Sequence, residues 1–298
     1  MAILIVGSEG FIGKHLVEYF RERGKDVLES DIRAVQKEHY IQVNPYDPDY
    51  DFIFANNDIS LCINASGSAN VKFSFTEPKI DFDSNTGTVF RILNAIRSNS
   101  KDCRFINLSS AAVYGNISVE PLREDAVCNP VSPYGFHKWY AELMCREFAQ
   151  LFGLRTCSAR LFSVYGEYQE KLLFWDMWMK YQKDNSSIEL FGSGNEARDF
   201  LYVKDVAKAL DIISENDDFN GGIVNVASGK ATNIKEAAGI FFNKINQEAV
   251  FKFSNTSKLG DPDILAADTS KLKSYGFTPA YELKEGLEKY VQWLKERR

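Results

Sequence analysis

Hydrophobic positions alternate between two rhythms along the chain. The run Ile3-Leu4-Ile5-Val6 is continuous and rich in β-branched residues, the pattern of a strand buried on both faces of a parallel sheet. Beyond Gly7, residues Phe11, Ile12, Leu16, Val17 and Phe20 recur at helical spacing as far as Gly24. Further strands are expected at residues 26–30, 40–43, 61–64 and 104–108, with Phe52, Phe54 and Ile59 covering the sheet between the middle two. Val71, Ser74 and Pro78 punctuate an expected loop. A helix is then predicted over 80–96, with Asn85-Thr86-Gly87-Thr88 at its start.

The second half continues the alternation. Helical spacing spans 134–148, where Trp139, Leu143 and Phe148 are candidates for core or interface, and a strand follows at 154–160. An aromatic helix is expected at 171–181, with Phe174 or Trp175 either packed on a cap or set beside a ligand. Strands at 188–191, 200–203 and 222–226, a helix through Val206, Ala209, Leu210 and Ile213, and an amphipathic helix at 281–294 complete the pattern. Strands alternating with helices predict an α/β fold with a doubly wound parallel sheet and a smaller α/β cap. Residues 1–165, joined by segments near 200–227, are assigned to the main domain and 166–298 mainly to the cap. There is no tandem repeat or low-complexity segment.

Two stretches carry chemistry. Gly7-x-x-Gly10-x-x-Gly13 stands between a strand and a helix, the setting of a Rossmann dinucleotide turn; the plain alternative is a structural turn. Gly7 permits the tight turn, Gly10 brings backbone to a pyrophosphate at the helix N-terminus, and Gly13 allows close packing. Asp31, about twenty residues further on, is placed for the adenosine ribose hydroxyls and favours NAD over NADP by repelling a 2′-phosphate. Arg33 is the opposing feature, read as a solvated loop residue. Ala65, Ser66 and Gly67 are small enough to let the chain pass close to a bound cofactor.

The second stretch holds Ser110, Tyr134 and Lys138. Four residues apart on a helix, Tyr134 and Lys138 share a face, so the ammonium can favour the phenolate and make Tyr134 a base toward a substrate hydroxyl, with Ser110 bonding the same oxygen. The plain alternative is a packed ring beside a solvated amine. Strands of a parallel sheet bind ligands at their carboxyl edge, where the glycine turn and Ser110 both lie.

Composition narrows the class. Among 298 residues, 45% are hydrophobic and the formal net charge is −6, so a sizeable core is available and no basic field attracts nucleic acid or anionic lipid. Five cysteines without Cys-x-x-Cys spacing read as reduced core residues of a cytoplasmic protein. The apolar start lacks the features of a signal peptide or membrane span. His15, His39 and His137 have no metal-ligand spacing: the first two are expected at the surface, the third beside the Tyr134–Lys138 pair.

These motifs together resemble the extended short-chain dehydrogenase/reductases, and within them the nucleotide-sugar epimerases and dehydratases. The resemblance runs through Asn64-Ala-Ser-Gly67, Asn85-Thr-Gly-Thr88, Ser109-Ser-Ala-Ala-Val-Tyr-Gly115, Pro130-Val-Ser-Pro-Tyr134-Gly-x-x-Lys138, Arg160-Leu-Phe-Ser-Val-Tyr-Gly166, Gly192-x-Gly-x-x-x-Arg198-Asp-Phe and Gly260-Asp261. It implies catalysis by Ser110, Tyr134 and Lys138, with cofactor contacts also from Phe11, Ile12, Ile32 and Asn85. Substrate contacts are implied for Ser110, Ala111, Ser163, Phe191, Arg198 and Lys258. Arg198 suits a diphosphate because guanidinium presents paired donors; an ion pair with Asp199 or Asp205 is its alternative role. Leu265 falls where a large Tyr limits the C2 group in some members, and is otherwise a core leucine. The resemblance further implies a homodimer through the helices near 85–97 and 134–148.

The implied reaction begins with oxidation at C4 of a nucleotide-diphosphate sugar. Dehydratases of this group carry Asp-Glu after the catalytic Ser or Thr; Ala111-Ala112 has no acid or base to offer, which disfavours dehydration. A 4-epimerase using NAD ranks first, a 4-ketoreductase using NAD(P)H second. A cofactor-binding regulator without catalysis is the reading from another class.

Overall fold

The computed structural model describes residues 1–116, 121–185, 187–246, 249–256 and 264–297. Its main sheet contains β1 (Ala2–Val6), β2 (Val27–Asp31), β3 (Tyr40–Gln42), β4 (Ile59–Asn64), β5 (Arg104–Ser110), β6 (Arg155–Leu161) and the returning strand Asn220–Val226. All pairings are parallel, in the order Asn220–Val226, β6, β5, β4, β1, β2, β3. The winding reverses between β1 and β4, which opens a crevice beyond their carboxyl ends.

Alternating side chains of β1 serve two cores. Ile3 and Ile5 face Leu16 and Phe20 of α1 (Phe11–Glu22). Leu4 and Val6 face the layer containing Ile53 of α2 (Tyr50–Asn56). Burial on both faces accounts for the unbroken apolar run.

The expected loop around residues 71–78 is helical. Asn70 caps α3 (Val71–Thr76) by accepting from Phe73 N at 3.0 Å, and Pro78 begins α4 (Pro78–Phe82), where its fixed φ and missing N–H fit the first turn. A π-helical turn, Asp83–Gly87, then leads into α5 (Thr88–Asn99), so Asn85 lies inside a continuous helical path and not at a helix start. Phe52 points to solvent, 56% exposed, because the buried face of that helix is made by Tyr50, Ile53 and Phe54.

Helix α6 (Pro133–Phe152) lies between Ser132, which accepts from Gly135 N at 3.1 Å, and left-handed Gly153. Beyond β6, strands Ser163–Tyr165, Ala197–Tyr202, Ala231–Asn233 and Ile264–Leu265 form a second sheet. Phe251–Phe253 pairs with Ile188–Leu190. Helices α7 (Leu172–Lys183), Ile234–Ile245 and Leu283–Glu296 close an aromatic core around Phe174, Phe241, Phe242 and Tyr290, while α8 (Val203–Asn216) packs on the main sheet. Phe174 is 2% exposed against Tyr165, Phe200 and Phe241, which removes it as a base contact. No helix among the described residues is long and apolar enough to cross a membrane.

His15 corrects its expected surface position. It is 3% exposed, its ring nitrogen lies 3.0 Å from Glu167 O, and burial holds its pKa below the usual histidine value. His39 is exposed as expected, and the five cysteines are unpaired.

Candidate active site

The glycine turn is packed to the limit of its backbone. A Cβ on Gly13 would lie 2.0 Å from Gly7 O, and one on Gly7 (φ +81°) would meet Ser66 N at 2.6 Å. The turn after β1 therefore touches the Ala65–Ser66 segment after β4 across the point where the winding reverses. A Cβ on Gly67 would meet Asn85 Oδ1 at 2.5 Å, which brings the π-turn into the same crevice. Gly10 caps α1 without a side-chain acceptor. Ser8 Oγ and both polar atoms of the Asn85 amide are buried without a hydrogen-bond partner among the described residues.

Asp31 ends β2 with its carboxylate held by Glu9 N at 2.9 Å and Arg33 N at 3.1 Å. Arg33 instead donates to Glu9 O at 3.0 Å. Lys37 bridges Glu9 and buried Glu29 at 2.6 and 2.5 Å. Phe11 stacks edge-on against His15, Ile12 packs beneath the cap core, and Ile32 stands 55% exposed on the rim. Narrow glycine backbone, an uncapped helix start, unpartnered buried polar atoms and a fixed carboxylate together fit a dinucleotide.

Ser110 is the last residue of β5, where its Oγ accepts from Ala112 N at 3.2 Å and stands beside the Tyr134 phenol. Tyr134 and Lys138 occupy adjacent turns of α6, 6% and 7% exposed. Lys138 Nζ donates to Leu108 O at 2.9 Å. Burial pushes the Tyr134 phenol up to about 12, Ser110 pulls it back in part, and Asp81 adds to the rise. Burial lowers Lys138 to about 8, against the pull of the Asp81 and Glu142 carboxylates. In the protein alone, desolvation dominates the phenol, and the Lys138 ammonium is not among the groups that shift it, so the favourable field expected from sequence is not expressed.

Behind this pair lies a buried polar network. Glu142, one turn beyond Lys138, accepts from Ser109 Oγ at 2.5 Å and from Arg160 Nε and Nη2 at 2.9 and 2.7 Å. Arg160 also donates to Glu124 O at 3.2 Å and lies 4.6 Å from the Tyr114 ring. Tyr114 in turn donates to Asn225 Oδ1 at 2.7 Å. The network ties β5, β6, α6 and the loop toward the cap into one frame. Gly135 allows α6 to approach the Ala111–Val113 turn, since a Cβ there would meet Ala112 O at 2.7 Å.

The substrate-side residues sit on the cap or at its junction. Ala111 is buried in the turn after Ser110, and Ser163 begins the strand paired with Phe200. Phe191 is 53% exposed, with Lys180 Nζ 4.7 Å from its ring centroid. Buried Arg198 donates to Ala197 O at 2.8 Å and stands opposite Leu265 in register. The alternative partners named for it are engaged by backbone: Asp199 accepts from Ser228 N and Gly229 N at 2.7 and 2.9 Å, and Asp205 from Ala280 N and Tyr281 N at 2.9 and 3.1 Å. Lys258 lies outside the described residues.

Sequence reasoning missed Glu142, Asp81 and Gly135. Glu142 was legible as the next i+4 position after Lys138, whereas Asp81 lay in the first turn of the helix expected over 80–96, far in sequence from the residues it meets.

Comparison with known proteins agrees with this geometry. A Methanocaldococcus jannaschii protein provisionally named UDP-glucose 4-epimerase is 31% identical over 309 residues, covering 98% of each chain. The structure of a UDP-N-acetylglucosamine 4-epimerase from Methanobrevibacter ruminantium, in complex with UDP-N-acetylmuramic acid, superposes with TM-score 0.89 at 27% identity, covering 100% of this chain and 99% of that one. A Thermus thermophilus UDP-glucose 4-epimerase in complex with NAD gives TM-score 0.86 at 25% identity, with 99% of each covered. The model of the NAD dependent epimerase/dehydratase family matches residues 3–227, and the chain belongs to that family.

Proposed function

We propose that the chain is an NAD-dependent 4-epimerase of UDP-hexoses or UDP-N-acetylhexosamines. The reading is carried by Ser110, Tyr134 and Lys138 at the carboxyl edge of the sheet, followed by Ala111-Ala112 with no acid or base in place for dehydration. When bound, NAD supplies the hydride acceptor and donor that interconverts a sugar alcohol and ketone. Gly7 and Gly10 would hold its diphosphate on main chain at the start of α1, Gly13 lets that helix pack close, Asp31 would hold the adenosine ribose, and Asn85 and Lys138 are the further residues that would contact it.

Tyr134 takes the C4 hydroxyl proton and returns it, with Ser110 bonding the same oxygen so that the sugar is oriented in either configuration. A phenol raised to about 12 is almost wholly protonated at neutral pH and has little phenolate to act as base, so positive charge arriving with the cofactor would favour its ionisation. Arg198 and Lys258 supply the cations for a diphosphate in a protein of net charge −6. Phe191 offers an exposed ring to the nucleotide base.

A homodimer in the cytoplasm completes the proposal. Phe90 on α5 and Phe136, Tyr140, Leu143 and Phe152 on α6 are 37–49% exposed and form an apolar surface suited to a second copy. The test is incubation of the purified protein with UDP-glucose, UDP-galactose and their N-acetyl counterparts, with the C4 epimers resolved. Conversion without net cofactor consumption is expected, and Tyr134→Phe should slow it by about 10²-fold or more. Net NAD(P)H oxidation on a 4-keto sugar without epimer formation would replace this reading with a 4-ketoreductase.

A further inference from the structure

The glycine turn carries a carboxylate of its own. Glu9 sits between Ser8 and Gly10, immediately ahead of α1, at the place where main chain would meet a diphosphate. The helix dipole favours a negative side chain there, and the first turn of α1 contains no acid. Left free, Glu9 would settle on the same positive helix end that the dinucleotide needs. It does not do so. Gly10 caps α1 without a side-chain bond, and the Glu9 carboxylate is drawn aside to Lys37 Nζ at 2.6 Å. Lys14 on α1 stands further off, at 3.6 Å.

Lys37 comes from the segment between β2 and β3 and is fixed on its other side. Its Nζ donates to Glu29 Oε2 at 2.5 Å, on a β2 side chain that is 1% exposed, and lies 5.3 Å from the Tyr40 ring centroid. Arg21 holds the second Glu29 oxygen at 2.8 Å, so Glu29 has two close cations where Glu9 has one. Asp31 accepts from Glu9 N at 2.9 Å and Arg33 donates to Glu9 O at 3.0 Å; both fix the main chain of the turn and leave its carboxylate to Lys37. Burial pushes the Glu9 carboxyl up, but the Lys37 and Lys14 ammoniums outweigh it and hold the group below its usual value, an anion at neutral pH.

We propose that Lys37 is a positioning residue for the dinucleotide: it withholds an internal anion, the Glu9 carboxylate, from the helix end that receives the diphosphate by pinning it to Glu29. Lys37 acts through Glu9 and takes no part in hydride or proton transfer. This role rests on the glycine turn as the NAD site, and it is measured by binding rather than by turnover.

Calorimetry on the full-length protein, freed of bound nucleotide, measures NAD. Lys37→Met should raise the NAD Kd by about tenfold, and adding Glu9→Gln should restore it to within about threefold of the parent. A lost loop clamp would not be repaired by removing Glu9. Lys37→Arg keeps both ion pairs and should stay within about threefold of the parent. The gap between parent and Lys37→Met should narrow as NaCl is raised from about 0.05 to about 0.5 M, since the competition is electrostatic. Adenosine, which lacks the diphosphate, should bind the two within about twofold of each other by ligand-observed NMR. An unchanged NAD Kd in Lys37→Met, no repair by Glu9→Gln, or an adenosine affinity that falls as far as that for NAD overturns the proposal. Should Lys37→Met not fold, the Glu9→Gln comparison is made on Lys37→Met combined with Glu29→Gln, which removes the buried charge Lys37 also serves, and absence of repair there overturns the proposal equally. Repair of NAD binding in a protein that epimerises no UDP-hexose would retain the assignment to Lys37 and reject the reaction.

Discussion

Replacing Glu142 by Gln tests the frame on which the catalytic helix is mounted. The substitution keeps the volume but leaves the Arg160 guanidinium, 3% exposed, without its anion, and turns an amide N–H₂ toward Nη2 or Ser109 Oγ. Three hydrogen bonds of 2.5–2.9 Å are affected. Breaking a buried ion pair by removing one partner costs about 3–5 kcal/mol, a large part of the roughly 5–15 kcal/mol by which a domain is stable. Urea unfolding at pH 7, followed by far-ultraviolet circular dichroism and tryptophan fluorescence, measures the loss, and agreement of the two probes checks that the transition is two-state. The double change Glu142→Leu with Arg160→Met removes both charges and should cost less than Glu142→Gln alone, with strong non-additivity. A loss below about 1 kcal/mol for Glu142→Gln would show that Arg160 is satisfied without Glu142 and refute the reasoning.

Gly13→Ala sets a methyl 2.0 Å from Gly7 O and 2.9 Å from Ser8 Cα, both backbone. It should cost about 1–3 kcal/mol in thermal or urea unfolding and sharply weaken NAD binding by calorimetry, whereas Gly24→Ala, at an open exposed site, should leave binding unchanged. Lys138 has its folded pKa lowered to about 8 from 10.5, so between those values the unfolded chain binds more protons. The stability difference between the parent and Lys138→Met should therefore move in the parent's favour from pH 8 to 10, by about 1 kcal/mol per pH unit in urea titrations; a flat difference would contradict the buried ammonium. If Phe136, Tyr140 and Leu143 meet a second copy, Leu143→Glu should halve the mass in sedimentation equilibrium while leaving far-ultraviolet dichroism unchanged.

Much of the site was legible in local sequence because its requirements are local. A strand buried on both faces must be apolar throughout, a turn this tight must be glycine at Gly7 and Gly13, and two residues on one helical face must be four apart. Those constraints made the glycine turn and the Tyr134–Lys138 pair legible in the bare chain, while Asp31 followed from its distance after the turn and Ser110 from its place at the end of a strand. The helix Ile234–Ile245 was equally readable from Ile234, Ala237, Ala238, Phe241 and Phe242, and was overlooked.

Tertiary structure alone decided which distant groups share a dielectric. His15 is a polar residue on an amphipathic helix, buried where Glu167, 152 residues further along the chain, and its neighbour Tyr168 pack against its ring. Phe174 belongs to an aromatic run, and its partners Tyr165, Phe200 and Phe241 come from three other elements. Asp81 and His137 are separated by 56 residues, and Glu142 and Arg160 by 18, so no periodicity announces either pair. The chain determined which residues could do chemistry; packing decided their ionisation, because desolvation and the field of neighbouring charges depend on three-dimensional distance rather than sequence spacing.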